Sequence, residues 1–383
     1  MSKSFMQKSF GQAMRNATRL TGMGKLLDAT RLIQRVLQGD AQQTKPHYRP
    51  DTKPDTSRHP AHAANDPQGT DALPSVIILP PPAQPGKSSA TPAAGRKDSF
   101  TKHQFVFDGD TYPYRLYVPS ATDTSDKKLM PVVVLLHGCK QDALDFSNGT
   151  AMNALAEEHQ VMVLYPEQIT SANAMRCWNW FEPGHQQADR GEPGMIAALT
   201  QKTLYQHGGD PQRVYIAGLS AGGAMAAVMA GLHPELFAAV GVHSGLAAGA
   251  ARDVMSAFAA MRSGAKGRSH SALPTIIFHG TADKTVHPDN SDHITDAALA
   301  GLTASGLKLV KTQTTRAHSG DQIVGCVVYS TAEGKPYIEN WRIGDGAHAW
   351  SGGDAAGSYT DPDGPSASAA MLNFFLQHRL QPA

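Results

Sequence analysis

The chain is short of cysteine, of aromatic side chains and of charge. Its three cysteines, Cys139, Cys177 and Cys326, in 383 residues are too few for a disulfide scaffold. Either one pair with a leftover thiol or three free thiols fits that count. Charged residues make up 17%, and 34 basic against 33 acidic side chains leave a formal charge of +1. Such a balance gives no general attraction to nucleic acid or to an anionic membrane surface. No apolar run approaches the roughly 18 residues that a membrane span needs. The opening MSKSFMQKSFGQAMRN has no continuous apolar stretch of signal-peptide type, so on this ground alone the expectation is a cytoplasmic protein, made without Sec export. No CxxC, HExxH or EF-hand spacing occurs, so no metal site and no cofactor are expected. There is no internal repeat.

What is present divides into three parts. In residues 1–40, Leu26, Ala29, Leu32, Ile33, Val36 and Leu37 fall at helical spacing and predict an amphipathic helix that docks on the main domain or on a partner whose nature the sequence does not give. Residues 41–98 are rich in Pro, Ser, Ala and Gly, with Pro80 to Pro82 in a row, and read as a linker unable to bury enough surface to order itself. Residues 99–383 form the main domain. Tyr114–Val118 alternates like a half-buried strand. Val132–Leu136, Val161–Tyr165, Val214–Ala217 and Thr275–Phe278 are continuous apolar runs of strand length. Val324–Ser330 and Tyr337–Ile343 add two more. Helical stretches are expected at Ser147–Glu158, Met195–Gln206, Ala221–Leu232 and Ser366–His378. Short buried strands alternating with helices call for an α/β fold with a mostly parallel central sheet and helices on both faces.

The strongest chemical signal is Gly218-Leu219-Ser220-Ala221-Gly222-Gly223. It follows the strand RVYIA and opens the helix AGGAMAAVMAG. That is the strand–turn–helix setting of a nucleophile elbow, whose strained turn tolerates only small neighbours. A serine hydroxyl is a weak nucleophile and needs a base, which in turn needs an acid to orient it. The order expected along such a chain is Ser, acid, His. In PTIIFHGTADKTVHP, a strand leads into a turn that carries Asp283. Asp289 and Asp345 are the rivals, one farther from the strand end and the other too near the histidine. His348 lies in the glycine-rich loop GDGAHAWSGG, after the strand YIENWRI. Among the other histidines, His279 and His287 flank the acid loop and read as structural, and His378 as solvated. The oxyanion of acyl transfer needs backbone donors. The amide of Ala221 follows the nucleophile, and the amide of Cys139 sits in the loop after PVVVLLHGCKQ. Arg176-Cys177-Trp178-Asn179-Trp180-Phe181 is an aromatic cluster whose residues alone fit a substrate platform or a core anchor equally.

Taken together, LLHGCKQ, VLYPEQ, CWNWF, DPQRVYIAGLSAGGAMA, HGTADKTVHPDN, GDGAHAWSGG and SYTDPDGPSAS resemble the esterase family of poly(3-hydroxybutyrate) depolymerases, related to feruloyl and acetylxylan esterases. The resemblance covers roughly residues 100–380. It implies an α/β-hydrolase fold and hydrolysis of poly- or oligo(3-hydroxybutyrate) esters, without a cofactor. It places the triad on Ser220, Asp283 and His348 and the second oxyanion donor on Cys139. It further implies that Cys139 pairs with Cys177, that Trp178 and Trp180 line the acyl or polymer cleft, and that the protein works outside the cell. The family's separate polymer-binding module has no counterpart in this sequence, which turns the expectation toward oligomers, amorphous polymer or short acyl esters. The alternatives are a feruloyl, acetylxylan or short-chain acyl esterase on the same fold, a peptidase or acyltransferase with the same triad, and a non-catalytic polymer-binding protein.

Overall fold

A computed structural model describes residues 100–120, 129–268, 271–318 and 322–381. All of these belong to one compact unit, Gly95–Ala383. The expected helix within 1–40, the linker over 41–98 and the boundary between 98 and 99 lie outside the described residues.

A ten-stranded sheet organises the unit, in the order β1-β2-β4-β3-β5-β6-β7-β10-β9-β8. Its central strands are β4 (Met162–Pro166), β3 (Met130–Leu136), β5 (Gly209–Leu219), β6 (Ala239–His243), β7 (Thr275–Gly280) and β10 (Pro336–Ile343), all mutually parallel. An antiparallel pair extends each side: β1 (Phe100–Phe107) with β2 (Asp110–Tyr117), and β9 (Ile323–Ser330) with β8 (Val310–Ala317). The continuous apolar runs read from the sequence follow from burial on both faces. Along β3, Val132, Val134 and Leu136 face one core with Ile216 and Met225. Val133 and Leu135 face the other, with Tyr215, Phe278 and Phe375.

Seven α-helices are present among the described residues: α1 (Ala143–Thr150), α2 (Met152–His159), α3 (Gly191–His207), α4 (Ala221–Leu232), α5 (Val254–Ser263), α6 (Asp289–Ala304) and α7 (Ala367–Phe375). The single helix expected at Ser147–Glu158 is two, broken at Ala151, which is left-handed with φ 49°. The break has a polar cause. Gly149 O accepts from Asp354 N at 2.8 Å, and Thr150 O accepts from Ser368 Oγ at 2.6 Å. A continuing helix would have used both carbonyls itself. The expectation for His378 is also corrected: it is 3% exposed, with its ring against Phe374 and Tyr337. Tyr215 Oη donates to its carbonyl at 2.8 Å, which folds the end of the chain back onto the sheet.

Candidate active site

In a parallel α/β sheet, functional loops gather beyond the carboxyl ends of the strands. Here β3, β5, β7 and β10 each deliver one part of the site.

The β5–α4 turn carries Ser220, which has φ 57° and ψ −118°, a strained conformation for a residue with a side chain. Ser220 N donates to His243 O at 2.9 Å, which holds the turn against the end of β6. The flanking glycines are required by contact. A Cβ on Gly218 would meet the backbone of Gly222 and Leu136, and one on Gly222 would run into the carbonyl oxygens of Leu136 and His137. Ala221 heads α4, where an N–H has no intrahelical acceptor.

From β7 comes Asp283, buried at 6% exposure. Its Oδ1 accepts from the backbone N–H groups of Thr285 at 2.8 Å and Val286 at 2.9 Å. Its Oδ2 faces His348 Nδ1 at 2.7 Å and His279 Nε2 at 3.4 Å. Burial alone would raise this carboxyl's pKa. The hydrogen bonds from His279 and His348 and the Val286 amide outweigh burial and hold it well below the ordinary carboxylate range. Asp283 therefore stays ionised, an acceptor for the Nδ1–H of His348. The loop carrying His348 is brought in by close backbone approach: Ala282 N donates to Gly346 O at 3.0 Å, and Thr281 N to Ile343 O at 2.8 Å. Neither rival acid reaches His348. Asp289 is exposed and pairs with His287 at 3.5 Å, and exposed Asp345 donates its N–H to Thr281 Oγ1. Ser220 Oγ makes no hydrogen bond to His348 among the described residues; catalytic bonds of this kind often tighten only with substrate in place.

The loop after β3 presents three successive amides. Gly138 N donates to Gln141 Oε1 at 2.9 Å, and Lys140 N to Met175 O at 2.7 Å. Between them, Cys139 N has no acceptor among the described residues, so it is the one amide of the three left to receive a ligand oxygen. Gln141, 1% exposed, also donates to Asp145 Oδ2 and Ser358 O, each at 2.9 Å. The loop's sulfur is joined to the aromatic segment by a disulfide between Cys139 and Cys177, with the Cα atoms 4.2 Å apart. Cys326 is buried and takes no part in this disulfide.

The aromatic segment departs from its expected part. Trp178 is fully buried and Trp180 is 3% exposed, both in the core. The Trp178 indole donates to His137 O at 3.1 Å, and its ring packs on His137 at 5.6 Å. Trp178 thus supports the loop after β3, and a substrate has no surface of it to touch. The same segment is held by a buried carboxyl group that sequence reasoning passed over. Glu192, fully buried on α3, accepts from Asn179 N and Asn179 Nδ2, each at 2.7 Å, and from Gln168 Nε2 at 2.5 Å. Burial raises its pKa, against the pull of His185 and these donors. His137 is also buried: its Nε2 accepts from Gln168 N at 3.1 Å, so Nδ1 donates to Gly138 O at 2.7 Å. Burial lowers its pKa to about 4, keeping it neutral. Among the described residues no cluster of side chains could hold a metal ion, and no helix is long and apolar enough to cross a membrane.

With this geometry in hand, comparison with known proteins is informative. The family model described as esterase PHB depolymerase matches residues 112–308. The chain is 32% identical over 237 residues to poly(3-hydroxyalkanoate) depolymerase C of Paucimonas lemoignei, covering 56% of this chain and 53% of that protein. It is 31% identical over 194 residues to feruloyl esterase B of Thermothelomyces thermophilus, covering 45% of this chain and 64% of that protein. It thus spans about half to just under two thirds of the length of these relatives. Among solved structures, an acetyl xylan esterase from Aspergillus awamori superposes with a TM-score of 0.54 at 20% identity, over 72% of this chain and 99% of that one. That likeness shows the fold, which is the α/β-hydrolase fold.

Proposed function

The chain belongs to the esterase PHB depolymerase family, and from that membership we propose that it is a serine esterase acting on poly- or oligo(3-hydroxybutyrate). The observation that carries the reading is the 2.7 Å bond from His348 to an ionised, buried Asp283, whose strand is separated by β6 alone from the strand that leads to a serine on a strained elbow. In the proposed reaction His348 Nε2 takes the proton of Ser220 Oγ as the oxygen attacks the ester carbonyl. The amides of Ala221 and Cys139 hold the oxyanion. The same imidazolium then protonates the departing alcohol, leaving an acyl-enzyme on Ser220. Water, deprotonated by His348, attacks that ester; the imidazolium returns the proton to the departing Ser220 Oγ, and the 3-hydroxy acid is released. Asp283 keeps the imidazole in the tautomer that both proton transfers need, and no cofactor enters.

The cystine beside the oxyanion loop supports an oxidising working compartment, outside the cytoplasm. A second reading, hydrolysis of feruloyl or acetylxylan esters, is supported by the relatives named feruloyl esterase and acetylxylan esterase. A substrate panel separates the two: a 3-hydroxybutyrate trimer, amorphous poly(3-hydroxybutyrate), methyl ferulate and p-nitrophenyl acetate, each with the parent and with Ser220→Ala. Release of 3-hydroxybutyrate that depends on Ser220 supports the first reading. Turnover confined to ferulate or acetate moves the protein to the second.

A further inference from the structure

β6 lies between the strand that delivers Ser220 and the strand that leads to Asp283. Its last residue, His243, is 1% exposed and makes contacts in three directions. Its carbonyl accepts from Ser220 N at 2.9 Å. Its ring stacks on Phe278 of β7 at 5.7 Å and on Trp350 at 5.0 Å, with interplanar angles of 19° and 26°. Its Nε2 accepts from Ser351 N at 3.0 Å, three residues beyond His348. Because Nε2 accepts, the proton is on Nδ1, which donates to Ser244 Oγ at 3.2 Å. One residue therefore adjoins the segments carrying all three members of the proposed triad, the elbow through its carbonyl and the other two through its ring.

The other bonds of the histidine loop run elsewhere. Trp350 N and Gly352 N donate to Tyr359 O and Asp361 O, tying the loop to its own continuation. Ser351 Oγ donates to Pro365 O, and Trp350 Nε1 to Ser368 Oγ on α7. Gly346 O and Asp345 N fasten its start to the acid loop. The bond from Ser351 N is the one that reaches the strand holding the elbow. It needs a neutral ring, since a protonated Nε2 would be a donor facing a donor. Burial, and then the neighbouring His279 and His348, hold the His243 pKa well below its ordinary value, against the opposite pull of Asp283.

We propose that His243 is a positioning residue for ester hydrolysis, fixing the loop that carries His348 against the elbow that carries Ser220 through its Nε2 acceptor. It touches neither substrate nor reacting atoms. The inference rests on the serine-esterase reading, and its test keeps the two apart. His243→Gln places an acceptor oxygen near the position of Nε2. His243→Asn keeps a polar amide only near the position of Nδ1. Both lose the ring stack, so a difference between them reports the Ser351 bond. The measurements are kcat and KM for p-nitrophenyl butyrate and the thermal midpoint of each variant, beside the parent and Ser220→Ala. A small misplacement of a catalytic group can cost about 100-fold. His243→Asn is therefore expected to lower kcat by about 10- to 100-fold with KM within about threefold, and His243→Gln to recover at least about half of that loss on a logarithmic scale. Equal kcat in two folded amide variants overturns the proposal, as does parental kcat in His243→Asn. If His243→Asn does not fold, His243→Gln decides alone: it must keep more than about a tenth of parental kcat, and a folded Gln variant below that overturns the proposal. Turnover that survives Ser220→Ala overturns the esterase reading itself, whatever the His243 variants do.

Discussion

Replacing Asp283 by Asn tests the electrostatic logic of the site with almost no change in shape. The side-chain oxygen must stay where Oδ1 is, because the N–H groups of Thr285 and Val286 both point at it. The new NH2 group then occupies the position of Oδ2, facing His348 Nδ1 at 2.7 Å. Two donors cannot share that gap, so His348 shifts its proton to Nε2. In that tautomer it can no longer accept the proton of Ser220. The loss expected for a wrong tautomer is about 10⁴ in kcat, or about 5.5 kcal/mol of barrier. KM should stay within about threefold, since ground-state binding is untouched. The thermal midpoint should change little, because both backbone caps survive and His279 Nε2, which also faces Oδ2, keeps Val286 O as an acceptor at 2.9 Å. Steady-state hydrolysis of p-nitrophenyl butyrate at pH 8 and a thermal melt read these quantities. A folded Asp283→Asn enzyme with kcat within about tenfold of the parent would refute the argument.

Removing the disulfide with Cys139→Ser and Cys177→Ser opens a loop of 38 residues, which loop-closure entropy values at about 4 kcal/mol. The doubly substituted protein should show a lower urea midpoint and a fall in kcat larger than the rise in KM, because the freed segment contains the Cys139 amide; an unchanged midpoint contradicts this. Glu192→Ala leaves three buried donors, Asn179 N, Asn179 Nδ2 and Gln168 Nε2, without their acceptor. At about 1–3 kcal/mol each, it should destabilise the fold by at least about 3 kcal/mol in urea denaturation. His137, His243 and His378 are buried, and burial first of all depresses each pKa, to about 4 for His137 and about 3 for His378. The unfolded chain then binds more protons, so stability is full above the unfolded value of about 6.5 and is lost as pH falls below it. Between pH 7 and pH 5 His137 and His378 each cost about 2 kcal/mol, so urea midpoints should fall steeply over that range, and a flat profile would contradict the neutral assignments.

The parts of the fold visible in the sequence were those whose local pattern and final environment agree. Val132–Leu136 in β3, Val214–Ala217 in β5 and Ile276–Phe278 in β7 are continuous apolar runs because both faces of the sheet are covered there, and α4 runs over Ala221–Leu232 as expected because a run of small residues must pack against the sheet beneath the elbow. β6 was missed because it is only five residues, AVGVH, with a glycine and a histidine inside. β8 was missed because VKTQTTRA has the composition of a surface segment. The break at Ala151 depends on carbonyls captured by Asp354 and Ser368, some 200 residues away, and no local pattern encodes that. The same limit applied to the site. The proposed triad of Ser220, Asp283 and His348 is read from order and turn chemistry, and the structure brings His348 and Asp283 together. Glu192, Gln141 and His243 are polar residues whose burial depends on what folds over them, and Trp178 and Trp180 invited a surface role because aromatic loop residues serve either purpose.

The most direct test of the account is covalent labelling with a p-nitrophenyl phosphonate, followed by peptide mass spectrometry and by hydrolysis of a 3-hydroxybutyrate trimer. The account predicts one phosphonyl group per chain, on Ser220, with trimer hydrolysis lost in proportion to labelling and absent in Ser220→Ala. Full hydrolysis in the labelled protein, or an adduct on any other residue that accompanies inactivation, would contradict it.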